Sequence, residues 1–196
     1  MNKSSIIITL MGVDGSGKST LISKIKKDYS KKFKVIKYLH LKPYLYLFDK
    51  RTVIKNPHKK KLNSNFLSII KLFFWLIEYK FFYLIYSKKE NQLIIFDRYV
   101  HDILVDPIRY QVSLSNKILK KIVNLFPEPD IWFVLNAKPK TIFRRKNELS
   151  IKEISRQNNL YKKIFKNINK AVLINTNLSV EKNMKTIIKK INLFTK

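Results

Sequence analysis

The chain contains only three glycines, and all three lie within six consecutive positions. Average usage predicts about 14 glycines in a chain of 196 residues. Gly12, Gly15 and Gly17 separate an apolar run that ends at Met11 from a stretch with apolar residues at helical spacing. Glycine is the residue that adopts positive φ angles without strain. The sequence therefore predicts a tight loop between a buried strand and a helix.

This loop fits the P-loop pattern G-x-x-x-x-G-K-[ST] at every defined position. In a P-loop, backbone N–H groups and the positive end of the following helix surround a phosphate. The lysine reaches the β- and γ-phosphates, and the hydroxyl after it binds Mg²⁺. We therefore expect ATP as co-substrate, Mg²⁺ as cofactor, Lys18 as a catalytic residue and Ser19 as a metal ligand. The predicted ATP-binding residues are Gly12, Val13, Asp14, Gly15, Ser16, Gly17, Lys18, Ser19 and Thr20.

Short apolar runs alternate with helical patterns along the whole chain. The runs at 5–11, 91–96, 130–135 and 171–174 are typical of parallel strands buried on both faces, and 34–39 is predicted as a further strand. Helical spacing follows the loop and recurs at 113–126, 139–149, 150–168 and 179–194. This alternation predicts an α/β fold, with a parallel sheet covered by helices on both sides. Because no linker interrupts it, we expect a single domain over residues 1–196.

The formal charge of +28 would ordinarily indicate a nucleic-acid or anionic membrane partner. However, 35 of the 41 basic residues are lysines spread along the chain, and the densest run, at 59–61, has no interleaved aromatic residues to stack bases. We interpret the charge as a solvated basic surface that reflects compositional bias. A nucleotide-sensing switch on nucleic acid or a membrane surface is the alternative.

Cysteine is absent, which excludes disulfides, thiolate zinc sites and a cysteine nucleophile. The apolar run before Gly12 is too short for a signal peptide or a membrane span, so we expect a cytoplasmic protein.

The apolar segment 66–86 contains Lys71, Glu78 and Lys80, and a charge near the middle of a membrane span costs about 2.5–3.5 kcal/mol. We expect a helix packed on the sheet, with a membrane-associated helix as the alternative.

Asp97 and Arg98 directly follow a predicted buried strand. Ligands of open α/β sheets bind at the carboxyl ends of the strands. Asp97 is therefore a candidate metal ligand or acceptor-orienting residue, and Arg98 is a candidate for neutralising the transferred phosphoryl group. We predict both residues to be catalytic. In the alternative, Asp97 caps a helix and Arg98 forms a surface ion pair.

Asp102 and Asp106 follow closely and would share one face of a helix. They are candidates for binding acceptor hydroxyls, although Asp106 is equally suited to ending a helix before Pro107. We interpret His101 as a packing residue.

Arg144 and Arg145 stand out in a chain that otherwise uses lysine. We predict them to be catalytic residues of a short lid at about 138–157, with Arg156 as a less certain member. A solvated helical face is the alternative.

With these motifs in this order, the sequence resembles the thymidylate kinase family of P-loop nucleoside monophosphate kinases. The matching stretches are ITLMGVDGSGKSTLISKI, LIIFDRYVHD, PEPDIWFVLNAKPKTIFRRKNEL and AVLINTNLSVEKNMKTIIKKI. The resemblance implies a three-layer sandwich with strand order 2-3-1-4-5, an acceptor-side helical region at about 43–90, and a homodimer. It implies transfer of the ATP γ-phosphate to dTMP to give dTDP.

The resemblance also places acceptor contacts, with Asp14 on a sugar hydroxyl. The predicted acceptor-binding residues are Asp14, Arg98, Tyr99, Asp102 and Glu78. The acceptor half departs from the family, because 40–43 reads His-Leu-Lys-Pro where the family has Arg-Glu-Pro-Gly. Asp102 and Asp106 would repel a phosphate, which keeps open a kinase of a nucleoside or sugar hydroxyl with Asp97 or Asp102 as base.

Overall fold

The computed structural model describes residues 5–43, 62–86 and 89–194. Five parallel strands form one sheet: β1 (Ile6–Met11), β2 (Val35–His40), β3 (Gln92–Asp97), β4 (Ile131–Asn136) and β5 (Ala171–Asn175). Their order is β2-β3-β1-β4-β5, which confirms the predicted topology. The predicted acceptor-side region at 43–90 and the lysine run at 59–61 lie partly or wholly outside the described residues.

Six α-helices accompany the sheet in this part of the chain: α1 (Lys18–Tyr29), α2 (Asn65–Tyr86), α3 (Asn116–Val123), α4 (Pro139–Arg145), α5 (Ile151–Phe165) and α6 (Val180–Phe194). Helices α1 and α6 bury Ile25 and Ile187 against one face of the sheet. Helices α2, α3 and α5 bury Tyr79, Leu119 and Tyr161 against the other face. The predicted three-layer sandwich is therefore confirmed.

The site lies at the carboxyl edge of the sheet because the central strands β1 and β3 end there side by side. In the register of the sheet, Leu10 pairs with Asp97 and His40 of β2 also pairs with Asp97. The loop after β1 and the segment after β3 therefore begin as neighbours. Strands β1 and β3 are almost fully buried, which explains their continuous apolar sequences.

Helix α2 is apolar on both its buried and its exposed face. Leu72, Trp75, Tyr79 and Phe82 pack into the core. Eight other large apolar side chains of this helix are 44–70% exposed: Phe66, Leu67, Ile69, Phe73, Phe74, Ile77, Phe81 and Leu84. No helix in the described part of the chain is long and apolar enough to cross a membrane.

Three local predictions were wrong. Strand β5, expected to be buried on both faces, lies at the edge of the sheet and is mostly exposed or half-buried. The helix expected at 139–149 ends at Arg145, and a new helix begins after Ser150, whose hydroxyl caps it by accepting from the Glu153 N–H at 3.2 Å. Asp102 and Asp106 do not share one helical face. The chain forms two short 3₁₀ turns, at Val100–Leu104 and Ile108–Tyr110, because Pro107 interrupts any longer helix.

Candidate active site

The loop after β1 has a backbone that only glycine accommodates easily. Gly12 and Gly15 adopt φ angles of 143° and 83°. A Cβ atom on Gly12 would lie 2.8 Å from the Leu135 carbonyl oxygen, so the loop passes directly against β4. The loop leads into α1, whose first turn has no side-chain cap among the described residues. Its N–H groups are therefore available to an anion.

Lys18 is buried inside this loop. Its Nζ donates to the Gly12 carbonyl at 2.8 Å and to the Val13 carbonyl at 3.1 Å, and lies 3.7 Å from Asp14 Oδ1. Burial lowers the pKa of Lys18 to about 8, and the nearby Arg98 contributes to the lowering, while Asp14 and Asp97 oppose it. The loop thus holds a cation that a polyphosphate would stabilise.

The Asp14 carboxylate is shared by three cations. Besides Lys18, Arg98 donates to Oδ1, and Arg109 donates to Oδ2 at 2.6 Å. Burial alone would raise the pKa of Asp14, but Arg98, Lys18 and Arg109 together hold it well below its ordinary value. Asp14 is therefore ionised and joins the loop after β1 to the segment that follows β3.

Arg98 is 4% exposed and adopts a φ angle of 73°, which non-glycine residues rarely adopt. Such a conformation costs on the order of 1–3 kcal/mol. The backbone N–H of Arg98 donates to the Leu10 carbonyl at 3.1 Å, and its guanidinium donates to Asp102 and Asp14. Burial would lower the pKa of Arg98, but Asp102 raises it above its ordinary value. These contacts hold a permanent positive charge beside the P-loop.

Asp102 is buried, and three donors surround it. Arg98 and Tyr110 donate to Oδ2, the tyrosine at 2.8 Å, and Tyr161 of α5 donates to Oδ1. The prediction that Asp102 binds an acceptor hydroxyl does not match this position, because both oxygens are engaged and the residue is 1% exposed. Its charge balances Arg98, so the expected repulsion of a phosphate by Asp102 does not follow either.

Asp97 and Ser19 are suited to a magnesium ion held mainly by phosphates and water. Asp97 Oδ2 accepts from the Tyr38 hydroxyl at 3.1 Å, whereas its buried Oδ1 has no hydrogen-bond partner among the described residues. Ser19 is exposed in the first turn of α1. The described residues contain no cluster of three or more histidine, cysteine or acidic side chains for a metal. Mg²⁺ commonly takes one or two protein ligands and completes its shell with phosphates and water, so these residues fit it.

A cavity of about 200 Å³ opens beside the P-loop on the side of α6. It is lined by Gly17, Thr20, Leu21, Arg145, Thr176, Leu178, Val180 and Asn183. Arg145 donates from NH2 to the Thr176 carbonyl at 2.9 Å. Arg145 thus lies in the wall of this cavity, whereas the sequence predicted it with Arg144 on a segment over the phosphates. Arg144 is exposed at the end of α4, and Arg156 is bound to Glu153 and the Val105 carbonyl.

Several other candidate residues make contacts that stabilise the fold. Tyr99, predicted to contact the acceptor, is fully buried, and its hydroxyl donates to the Pro127 carbonyl at 2.6 Å. Glu78 lies 3.7 Å from Lys42 in the segment after β2.

His101 packs against Trp132, and burial lowers the pKa of His101 to about 4. The imidazole is therefore neutral, in agreement with the expected packing role. Asp106 accepts from the Arg109 N–H at 3.2 Å and so caps the second 3₁₀ turn.

Arg109 is the site residue that sequence reasoning missed. It lies 95 positions from Asp14, and nothing local in the sequence pairs the two residues. The signal was its chemistry, because Arg109 is one of only six arginines in a lysine-rich chain. Tyr110 and Tyr161 were missed as well, since buried tyrosines at these positions resemble ordinary core residues in the sequence.

Solved structures share this fold. A deoxyadenosine kinase from M. mycoides with bound dATP is 19% identical, with 95% of this chain and 99% of that chain covered and a TM-score of 0.60. A thymidylate kinase from Candida albicans is 17% identical, with 100% and 96% covered and a TM-score of 0.63. A thymidylate kinase from Ehrlichia chaffeensis is 17% identical, with 96% and 99% covered and a TM-score of 0.59. A search of curated proteins found no match.

At these identities the likeness to solved structures concerns the fold. The sequence itself matches the model of the thymidylate kinase family over residues 10–187, a range that includes the P-loop, the segment after β3 and helices α4 and α5. This range covers most of the chain and all of the site described above. The chain therefore belongs to the thymidylate kinase family.

Proposed function

We propose that this protein transfers the γ-phosphoryl group of ATP to a small acceptor, by default dTMP to give dTDP. The observation that carries the proposal is the meeting of the P-loop with Arg98 at the Asp14 carboxylate. A phosphoryl group in transfer needs positive charge that is fixed before the reaction. Lys18 and Arg98 supply two such charges, both beside Asp14 Oδ1.

In this proposal the side chains keep the positions described above, with the exception of Lys18. The P-loop N–H groups bind the β-phosphate, and Lys18 moves from the loop carbonyls to the β- and γ-phosphates. Arg98 neutralises the transferred group, and Asp14 orients the acceptor. Ser19 and Asp97 would hold Mg²⁺, which offsets phosphate charge when bound. The cavity lined by Arg145 and Asn183 would take the nucleoside part of ATP. With ATP as the donor, we keep the cytoplasm as the expected compartment.

The acceptor is the open part of the proposal. The segment after β2 places buried Lys42 near Glu78 and the Trp75 ring, where the sequence departs from the family pattern. The fold is shared with a deoxyadenosine kinase as well as with thymidylate kinases. A nucleoside or sugar hydroxyl is therefore the second candidate acceptor. A screen that follows ADP release with dTMP, thymidine, deoxyadenosine and glucose separates these possibilities.

The Lys18→Ala variant tests phosphoryl transfer itself. We expect acceptor-dependent ADP release to fall by at least about 100-fold, because a preorganised charge on the phosphates is lost. The matched control is Lys24→Ala on the same helix, an exposed lysine whose partner is Asp28 at 3.0 Å. Turnover retained in Lys18→Ala, or lost equally in Lys24→Ala, would contradict the proposal.

We also propose a homodimer formed through the exposed apolar face of α2, defined here as the eight side chains from Phe66 to Leu84 described above. Contiguous exposed apolar surface usually marks an interface. The homodimer expected from the family resemblance gives this face a natural partner.

A further inference from the structure

We propose that Arg109 is an acceptor-binding residue that selects an anionic acceptor by gripping its phosphate or carboxylate group. This inference rests on the proposed function and names the chemical class of the second substrate. The juxtaposition that carries it is the 2.6 Å hydrogen bond from Arg109 NH1 to Asp14 Oδ2. An acceptor group bound at Asp14 therefore lies within reach of Arg109.

The accessibility of Arg109 separates it from Arg98. Arg109 is 27% exposed, whereas Arg98 is 4% exposed and its guanidinium is engaged by Asp102 as well as Asp14. Among the described residues, the Arg109 side chain makes one hydrogen bond, through NH1. A guanidinium carries five N–H donors in a planar fork that matches phosphate and carboxylate. Arg109 therefore retains donors for a second anion while it remains on Asp14.

The turn that carries Arg109 is fixed at several points, so the guanidinium is positioned before any ligand binds. The Asp106 carboxylate accepts from the Arg109 N–H, and the Tyr110 hydroxyl donates to Asp102 at 2.8 Å. Lys71 of α2 donates to the Tyr110 carbonyl at 2.7 Å. Positioning of this kind lowers the entropy cost of binding. The network joins the Arg109 turn to the buried carboxylate that also holds Arg98.

The cluster has no net positive charge, because the three cations Lys18, Arg98 and Arg109 face the three carboxylates Asp14, Asp97 and Asp102. Asp106 accepts from the backbone N–H of Arg109. The preference for an anion therefore comes from the remaining guanidinium N–H donors of Arg109, which bind a phosphate or carboxylate more strongly than a neutral hydroxyl.

The test uses pairs of acceptors that differ only in a phosphate: dTMP and thymidine, dAMP and deoxyadenosine, glucose 1-phosphate and glucose. ADP release is measured for the wild-type protein, Arg109→Gln, Arg109→Lys and the control Lys117→Gln, which removes one exposed charge from α3. Circular dichroism melting confirms that each variant folds. Isothermal titration of the same pairs in the presence of ADP and Mg²⁺ gives a second readout that needs no turnover.

We expect the phosphorylated member of at least one pair to be strongly preferred by the wild-type protein. Arg109→Gln raises the KM of that member by about 10- to 100-fold, the worth of a hydrogen bond to a charged group, and leaves the KM of ATP within about twofold. The KM of Arg109→Lys should lie between those of the wild-type protein and Arg109→Gln, because lysine keeps the positive charge but lacks the planar fork of donors. Lys117→Gln behaves as wild type.

Three results would overturn the inference. If the neutral member of each pair is turned over or bound as well as its phosphorylated partner, the acceptor is not selected for its negative charge. If Arg109→Gln keeps the preference for the phosphorylated acceptor, Arg109 is not the residue that selects it. An equal fall of kcat and rise of KM for both substrates would make Arg109 purely structural. The proposed phosphoryl transfer is judged separately, by Lys18→Ala, and stands if a neutral acceptor is used.

Discussion

At the scale of single residues, Asp102 explains how the site keeps a strained arginine in place. Arg98 has a φ angle of 73° and a buried guanidinium, and each would be unfavourable alone. Asp102 supplies the opposite charge, and Tyr110 and Tyr161 hold the carboxylate from two other elements. Asp102 is thus a positioning residue that acts through Arg98.

The Asp102→Asn variant tests this role. Removing one charge of a buried pair leaves the other uncompensated, which typically costs about 3–5 kcal/mol in free energy of unfolding. We expect urea denaturation to show a loss of about 3 kcal/mol, because Asp14 still pairs with Arg98. We also expect kcat to fall while the KM of ATP stays nearly constant.

Tyr161→Phe is the matched control for Asp102→Asn. It removes one hydrogen bond to the same carboxylate but keeps both charges, so stability should fall by about 1.5–2 kcal/mol and kcat should change little. If Asp102→Asn unfolds like the wild-type protein, or if Tyr161→Phe lowers kcat as strongly, the charge of Asp102 does not position Arg98.

At the scale of elements, the strands and most helices follow from the sequence, and the signal is clearest for β1, β3 and β4, whose continuous apolar runs are buried on both faces. The P-loop follows too, since its glycines adopt φ angles that other residues avoid. The contacts of Asp14 with Arg109 and of Asp102 with Tyr161 do not, because they join residues 95 and 59 positions apart. The sequence pattern placed Asp102 on a helix facing the acceptor, whereas Arg98, Tyr110 and Tyr161 hold its carboxylate in the core.

Helix α4 shows the same limit. Two adjacent arginines indicate phosphate binding in a lysine-rich chain, but the helix ends at Arg145 and directs that residue to the Thr176 carbonyl. The two arginines therefore have different surroundings. Arg145 lies in the cavity proposed for the nucleoside part of ATP.

We therefore expect Arg145→Ala to act on ATP binding. The KM of ATP should rise by about tenfold, since a guanidinium that lines the cavity and would contact the bound nucleotide is lost, while kcat falls less than about threefold. Lys140→Ala, an exposed cation on the same helix, is the control. Steady-state kinetics with ATP varied measure both constants. A large fall of kcat at constant KM would instead support the lid role predicted from the sequence.

At the scale of the whole molecule, the net charge of +28 and the exposed apolar face of α2 act against each other in self-association. Apolar burial favours a dimer, and repulsion between two highly basic copies opposes it. Added salt screens the repulsion, with a Debye length near 10 Å at about 0.1 M salt. A dimer should therefore tighten with salt, whereas binding to nucleic acid should weaken.

Sedimentation at about 0.05 and 0.5 M salt measures this directly. We expect a monomer–dimer equilibrium that shifts toward the dimer at the higher salt concentration. Phe73→Asp should raise the dimer Kd by about tenfold or more, because it places a charge in an apolar interface. The control Leu193→Asp alters an exposed apolar residue of α6, on the opposite side of the sheet, and should leave the Kd unchanged. A monomer under all conditions, dissociation on adding salt, or equal effects of the two variants would each contradict dimerisation through α2.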